Sequence, residues 1–266
     1  MNYIYIIINP RFSSHSLINI TSQSPQEINS GLNKKYANQE IENDFYKLIY
    51  VKEIEGNITK LSDQLKKIFK KYKLPEKEFY RINGSLTIEI IEKELFKKEI
   101  SDKELINWWN ELDSCWKYTF ETIMFPQTRR NEEGNNLDKV TSKELRELLL
   151  IDRLTIWREG ITTLEPLKIF KELKKLNCSI EEISDLKPLS ELYKLEELNI
   201  VDTKIESIEP ISALLNLNTL YCFRTKIKSI KGILHLTNLN MIKTDYFIPK
   251  NELNVIRKNN LNCEIN

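Results

Sequence analysis

Histidine is nearly missing from this chain: its 266 residues include only His15 and His235. That scarcity argues against a histidine-rich metal centre and against a serine-type triad. Cysteine is also sparse, with four residues scattered along the chain, and a reducing cytoplasm is the expected compartment. Neither sign of charge dominates. Forty Lys and Arg face 39 Asp and Glu, so net charge gives no signal for nucleic acid or a membrane surface. No stretch approaches the roughly 18 apolar residues that a spanning helix needs. The N-terminal apolar run, MNYIYIIINPRF, lacks a basic start and a small-residue cleavage site. Pro10 ends it, so it reads as a buried strand and not as a signal peptide.

What is present is a repeat. Leu154, Leu176, Leu198, Leu220 and Ile242 stand 22 residues apart. Two residues on, the same step links Ile156, Cys178, Ile200, Cys222 and Thr244. Further apolar columns run through Ile161, Leu164, Leu167 and Leu173, each recurring at the same step. Pro166, Pro188 and Pro210 mark another slot, which Gly232 fills in the fourth copy. One copy cannot bury its own apolar positions, whereas stacked copies share a continuous core. Leu198 and Ile200 alternate with Asn199 and Val201, so the first pair points in and the second out of a short strand. Cys178 and Cys222 fall in one inward column two rungs apart, about 10 Å at strand spacing. That separation is too long for a disulfide, and both read as small core residues.

The L-x-x-L-x-L pattern at this period resembles the internalin-like bacterial class of 22-residue leucine-rich repeats. The asparagine usual after the strand is replaced by Thr203 and Thr225. The resemblance covers residues 145–266 and implies a solenoid that binds a partner.

The remainder reads as two segments. Residues 1–98 alternate strands and helices. Strands are expected at 2–9, 17–22 and 45–55, and a helix begins at the Ser24/Glu27 capping box. A second helix over 57–73 carries Leu61, Leu65, Ile68 and Tyr72 on one face. A short extended piece at 78–82 precedes a helix over 86–98 with Ile88, Ile91 and Leu95. The lysines within 66–73 read as the solvated face of the second helix, with a phosphate-contacting strip as the sharper alternative. Residues 99–144 are expected to form a helical cap and a polar loop at 126–139. One helix over 101–125 would bury Leu105, Trp109, Leu112, Trp116, Phe120 and Ile123 and close the open end of the solenoid. Trp108 lies off that face and is expected to touch the first domain. Thr141 and Glu144 cap a helix into the first repeat, and residues 249–260 form a closing helix before a last strand at 261–265. The fold class is therefore α+β: a small N-terminal α/β domain with a three-stranded sheet, a helical cap, and the repeats.

Tyr3, Tyr5, Asn9 and Pro10 on the first strand, Pro25 to Ile28 at the helix start, and Glu78-Phe79-Tyr80 are similar to motifs of the GIY-YIG nuclease superfamily. In active members a first-strand tyrosine helps activate water, a helix arginine supports the transition state and a glutamate holds a divalent metal. The resemblance would place Tyr3 or Tyr5 and the metal ligand Glu78 in those roles, with Mg²⁺ as cofactor. However, the motif glycine is Thr21 and the helix arginine is Ile28. Losing that arginine costs on the order of 10²-fold or more in rate. A degenerate domain without enzymatic activity and without a cofactor is the expectation.

The outward strand positions are the candidate binding surface: Thr155, Trp157, Asn177, Ser179, Asn199, Val201, Tyr221, Phe223, Lys243 and Asp245, flanked by Arg153, Arg158 and Arg224. Large aromatics and arginine at exposed slots fit an interface hot spot. The expected function is binding a protein partner on the concave face, in toxin immunity or phage defence by fold-level analogy. A nuclease targeted by its repeats, or nucleic-acid binding through the lysine helix, is the alternative. No membrane association is expected.

Overall fold

Three-residue strands recur where the leucine pairs stand. They are β4 (Arg153–Thr155), β5 (Lys175–Asn177), β6 (Glu197–Asn199), β7 (Thr219–Tyr221) and β8 (Met241–Lys243). With β9 (Glu264–Ile265) they form a parallel sheet in chain order. The register pairs Leu154 with Leu176, Leu198, Leu220 and Ile242 in succession, and Ile242 with Ile265. The 22-residue step is therefore one rung of sheet. Residues 2–8, 16–28, 47–54, 58–70, 73, 84–95, 99–125, 140–156 and 159–265 are described by this structure, a computed structural model. The chain divides into two compact units, Met1–Lys97 and Lys98–Asn266.

Strands β4 to β7 each return through a 3-10 turn: Glu165–Ile169, Lys187–Leu189, Glu209–Ile211 and Lys231–Ile233. Proline opens the first three turns, where its missing N–H costs nothing. Gly232 takes the slot in the fourth because a Cβ there would lie 3.0 Å from the Cα of Glu209. The six columns are buried except at Thr244, which is half-buried, and a seventh joins them: Leu148, Phe170, Leu192, Leu214 and Leu236.

The turn after each strand is held by polar side chains. Thr203 and Thr225 donate their hydroxyls to the carbonyls of Ile200 and Cys222 at 2.7 and 2.8 Å. Glu181 occupies the same slot one repeat earlier. Its buried carboxylate accepts from the backbone N–H groups of Glu159 and Ile161, both at 2.9 Å. Just before this slot the backbone is left-handed in three successive repeats, with φ of 62° at Ile180, 59° at Asp202 and 53° at Arg224. On the return side Asn216, Asn238 and Asn260 donate to carbonyls of the preceding rung at 2.8, 2.8 and 2.9 Å. An asparagine ladder therefore exists, but not in the slot after the strand.

The single helix expected over 101–125 is two helices: α3 (Asp102–Glu111) and α4 (Ser114–Met124). Leu112 is extended, and the Asp113 side chain accepts from Trp116 N at 2.9 Å, so a new N-cap breaks the helix. Leu105, Trp109, Leu112, Trp116 and Phe120 are buried, while Ile123 is 43% exposed and leaves the stripe. Trp108 packs within the repeat unit, its ring centroid 5.5 Å from Phe120 and 5.9 Å from Phe170. Trp116 Nε1 donates to Thr163 O at 3.0 Å, and Phe120 stacks on Phe170 at 5.3 Å. Both helices thus lie against the first repeat. Helix α5 (Ser142–Leu148) starts at the Thr141/Glu144 capping box and feeds Leu145 and Leu148 into the apolar columns. Arg146 ties it to α3 through Asp102 at 2.7 Å. Helix α6 (Lys250–Asn259) follows the last full repeat. Its buried Glu252 accepts from Ile230 N at 2.7 Å and from the Ser229 hydroxyl.

In the N-terminal unit β1 (Asn2–Ile8) lies between β2 (Ser16–Thr21) and β3 (Lys47–Ile54), antiparallel to both. A bulge between Ile6 and Ile7 shifts the β1–β3 register. Ile4, Ile6 and Ile8 are buried, as are Ile88 and Ile91 on α2 (Gly84–Leu95). On α1 (Ile58–Phe69) the buried side chains are Leu65 and Phe69. Leu61 and Ile68 are only partly covered, so the apolar face is rotated from the expected one. The Ser24/Glu27 capping box forms as its spacing implies. The extended piece at 78–82 and the loop at 126–139 lie outside the described residues.

Candidate protein-binding face

The strand period decides which side chains the repeats turn outward, and the register stacks them in rows. One row is Thr155, Asn177, Asn199, Tyr221 and Lys243. Thr155 is exposed and the rest are half-buried. The next row is Ser179, Val201, Phe223 and Asp245, and of these only Ser179 is buried. Trp157 and Arg158 lie outside the described residues.

These rows are not uniform. Asn177 and Asn199 spend their side-chain oxygens on the backbone, accepting from Ser179 N at 3.1 Å and Val201 N at 3.0 Å. They shape the turn and present only their amide groups outward. The aromatic rungs are different. The Lys243 ammonium sits 5.7 Å from the Tyr221 ring centroid, and the Arg224 guanidinium is 5.7 Å from that of Phe223. Tyr221 donates its hydroxyl to the Met241 sulfur at 3.3 Å. Arg224 faces Asp202 at 3.6 Å.

Around these rungs lies a cavity of about 470 Å³, floored by Val201, Tyr221 and Phe223 and edged by Asp202, Arg224 and Lys243. It brings together Asn199, Val201, Tyr221, Phe223, Arg224 and Lys243 and leaves out Thr155 and Asn177. Asp245 lines a second cavity of about 460 Å³, which shares Phe223 and Lys243 with the first. Sequence reading missed Ile180 and Asp202 on the first cavity and Tyr246, Leu253, Arg257 and Ile265 on the second. Ile180 and Asp202 could have been found by counting back from Arg224, since all three share one slot of the repeat.

The buried thiols offer no chemistry here. Burial, with the Glu181 charge nearby, pushes Cys178 up to about 12. Burial does the same to Cys222, also to about 12, with a smaller effect of Asp245 in the same direction. In the other unit Tyr3 and Tyr5 lie on one face of β1, half-buried, and Asn19 donates to the Tyr5 hydroxyl at 3.3 Å. Ile28 is 5% exposed, and Glu78 lies outside the described residues. Among the described residues no group of three His, Cys, Asp or Glu side chains could hold a metal ion, and no helix is long and apolar enough to cross a membrane.

A parallel sheet of short strands, one per 22-residue unit, with 3-10 turns returning the first four, is the architecture of a leucine-rich repeat solenoid. No protein-family model matches the chain, and no curated protein matches it significantly. Solved structures do resemble it. An internalin from Listeria monocytogenes is similar over 60% of this chain and 56% of its own, at 18% identity and a TM-score of 0.41. A leucine-rich repeat protein from Leptospira interrogans is similar over 47% of this chain and 33% of its own, at 29% identity and a TM-score of 0.41. The functional domain of another Listeria monocytogenes internalin, which includes a cysteine ladder, is similar over 58% and 36%, at 19% identity and a TM-score of 0.42. The chain thus spans about half the length of the first of these and a third of the second.

Proposed function

We propose that this chain is a protein-interaction module that binds a protein partner through the strand face of its repeats. One observation carries the reading: Tyr221 and Arg224, residue types that dominate interface hot spots, and Phe223, of a type enriched at interfaces, converge on one open cavity of that face. Helices α3 and α4 act as the cap of the first repeat, covering an apolar edge that a terminal repeat otherwise exposes. The N-terminal unit is a degenerate GIY-YIG-like scaffold that offers a second surface. Support for that reading is Ile28, buried in the core where the resemblance would need an arginine. Toxin immunity or phage defence in the bacterial cytoplasm is the setting favoured by analogy.

The experiment is affinity capture from cell lysate with the native chain and with a Tyr221→Ala/Phe223→Ala variant of unchanged helical and strand content. A protein captured by the first and lost by the second is the expected result, and identical captured sets would overturn the reading. Tyr3 and Tyr5 on one half-open face of β1 favour a second reading, a Mg²⁺-dependent nuclease using Glu78. Cleavage of DNA abolished by Glu78→Ala would establish it.

A further inference from the structure

The two cavities on the strand face adjoin at Phe223 and Lys243, and together their linings follow a groove across the rungs from Ser179 to Ile265. Four rung steps at about 4.8 Å span about 19 Å, the length of roughly six residues of extended chain. The charges along the groove are unevenly matched. In the first half Arg224 faces Asp202 at 3.6 Å. In the second half the Lys243 ammonium lies against the Tyr221 ring, and Arg257 donates to the Asn254 side chain at 3.3 Å. Neither cation has an ion-pair partner among the described residues, and Asp245 is the single acid lining that half. The walls there are apolar, from Leu253 and Ile265, with the Tyr246 ring 97% exposed at the rim.

The other end of the groove holds an unusual residue. Ile180 has a φ of 62° and is exposed. A β-branched side chain in the left-handed region is a genuine outlier, and such strain collects at ligand-contacting positions. An apolar group is thus kept at the groove wall where asparagine or glycine would relax the turn.

Building on the strand-face reading, we infer that this groove takes an extended peptide segment of the partner, with an apolar side chain seated on Val201 and Phe223 and an Asp or Glu carboxylate held by Lys243 and Arg257. The apolar floor supplies contact area. The two cations supply selectivity, since a basic residue at that position would be repelled.

The test is selection of phage-displayed random dodecapeptides on the full-length chain. Selected sequences are then made as synthetic fluorescent peptides and titrated by anisotropy against native, Phe223→Ala, Lys243→Glu and Arg257→Glu chains, each checked for an unchanged melting temperature. We expect Asp or Glu beside an apolar residue to be enriched. Binding should weaken about tenfold or more in Phe223→Ala and Lys243→Glu. Exchanging the peptide's acid for lysine should restore binding to Lys243→Glu, a rescue that a merely structural Lys243 would not give. Peptides that depend on Phe223 but carry no acid, or that ignore Lys243→Glu, overturn the carboxylate inference and leave the strand-face reading standing. Peptides indifferent to Phe223→Ala overturn both. Failure to select any peptide overturns the inference alone, and the captured partner then decides the strand-face reading.

Discussion

Glu181 offers a sharp test of how the repeats are held together. Its carboxylate is 3% exposed and accepts two backbone N–H bonds at 2.9 Å, from Glu159 and Ile161 of the preceding repeat. In Glu181→Ala both donors lose their partner, the N–H of buried Ile161 and that of half-buried Glu159. Leaving a buried donor unsatisfied costs about 1–3 kcal/mol, so two cost about 2–5 kcal/mol once partial relaxation is allowed for. Thr203→Val, in the same slot of the next repeat, loses one hydroxyl bond to Ile200 O and should cost about 1 kcal/mol. Glu181→Gln keeps one acceptor oxygen and should fall between the two. Urea unfolding followed by tryptophan fluorescence is the assay, because all four tryptophans lie within residues 98–266 and the signal reports that unit. A Glu181→Ala chain within about 0.5 kcal/mol of native, the range of ordinary surface substitutions, would refute the reasoning.

Two further predictions concern the same turns and the core. Ile180→Asn should raise stability by about 1 kcal/mol, read from the urea midpoint, because asparagine tolerates the left-handed backbone that isoleucine resists; a loss of stability would show that the isoleucine packs usefully inside its own chain. Cys178 and Cys222, pushed up to about 12, should resist a thiol-titrating reagent at pH 8 in the folded chain and react only on unfolding, whereas Cys115 and Cys263 are partly open. The sign follows from linkage: a thiol ionising later in the folded state is stabilising below its ordinary value of 9.0, and that stability is lost as pH rises toward 12. Four equally fast thiols at pH 8 would contradict the burial of this column.

The repeat was legible because apolar columns in phase leave few arrangements that bury them all. Leu154 through Ile242 fell on one row of the sheet as counted. The column of Phe170, Leu192, Leu214 and Leu236 was harder to see. Leu167, Phe170 and Leu173 step by three, which matches a 3-10 turn and neither a strand nor an α-helix. The break at Leu112 was invisible to periodicity, since the stripe keeps its steps of three and four across it; only Asp113 before Ser114 carried the capping signal. The packing of Trp108 on Phe120 and Phe170 was not legible either, because a helical face says which side is apolar, not which neighbour covers it. The candidate face was legible as rows of outward residues. Its left-handed edge was not, because Ile180 defies the preference for glycine or asparagine that marks such positions. Nor could the sequence show that Asn177 and Asn199 turn their oxygens to the backbone while Tyr221 and Phe223 remain open.

Hydrogen exchange on the chain with and without its captured partner bears most directly on the central claim. The account predicts slowed exchange in peptides covering residues 199–203, 221–225 and 243–246, with the return turns at 187–189 and 209–211 unchanged. Protection confined to residues 2–95, with the strand face exchanging as in the free chain, would contradict it.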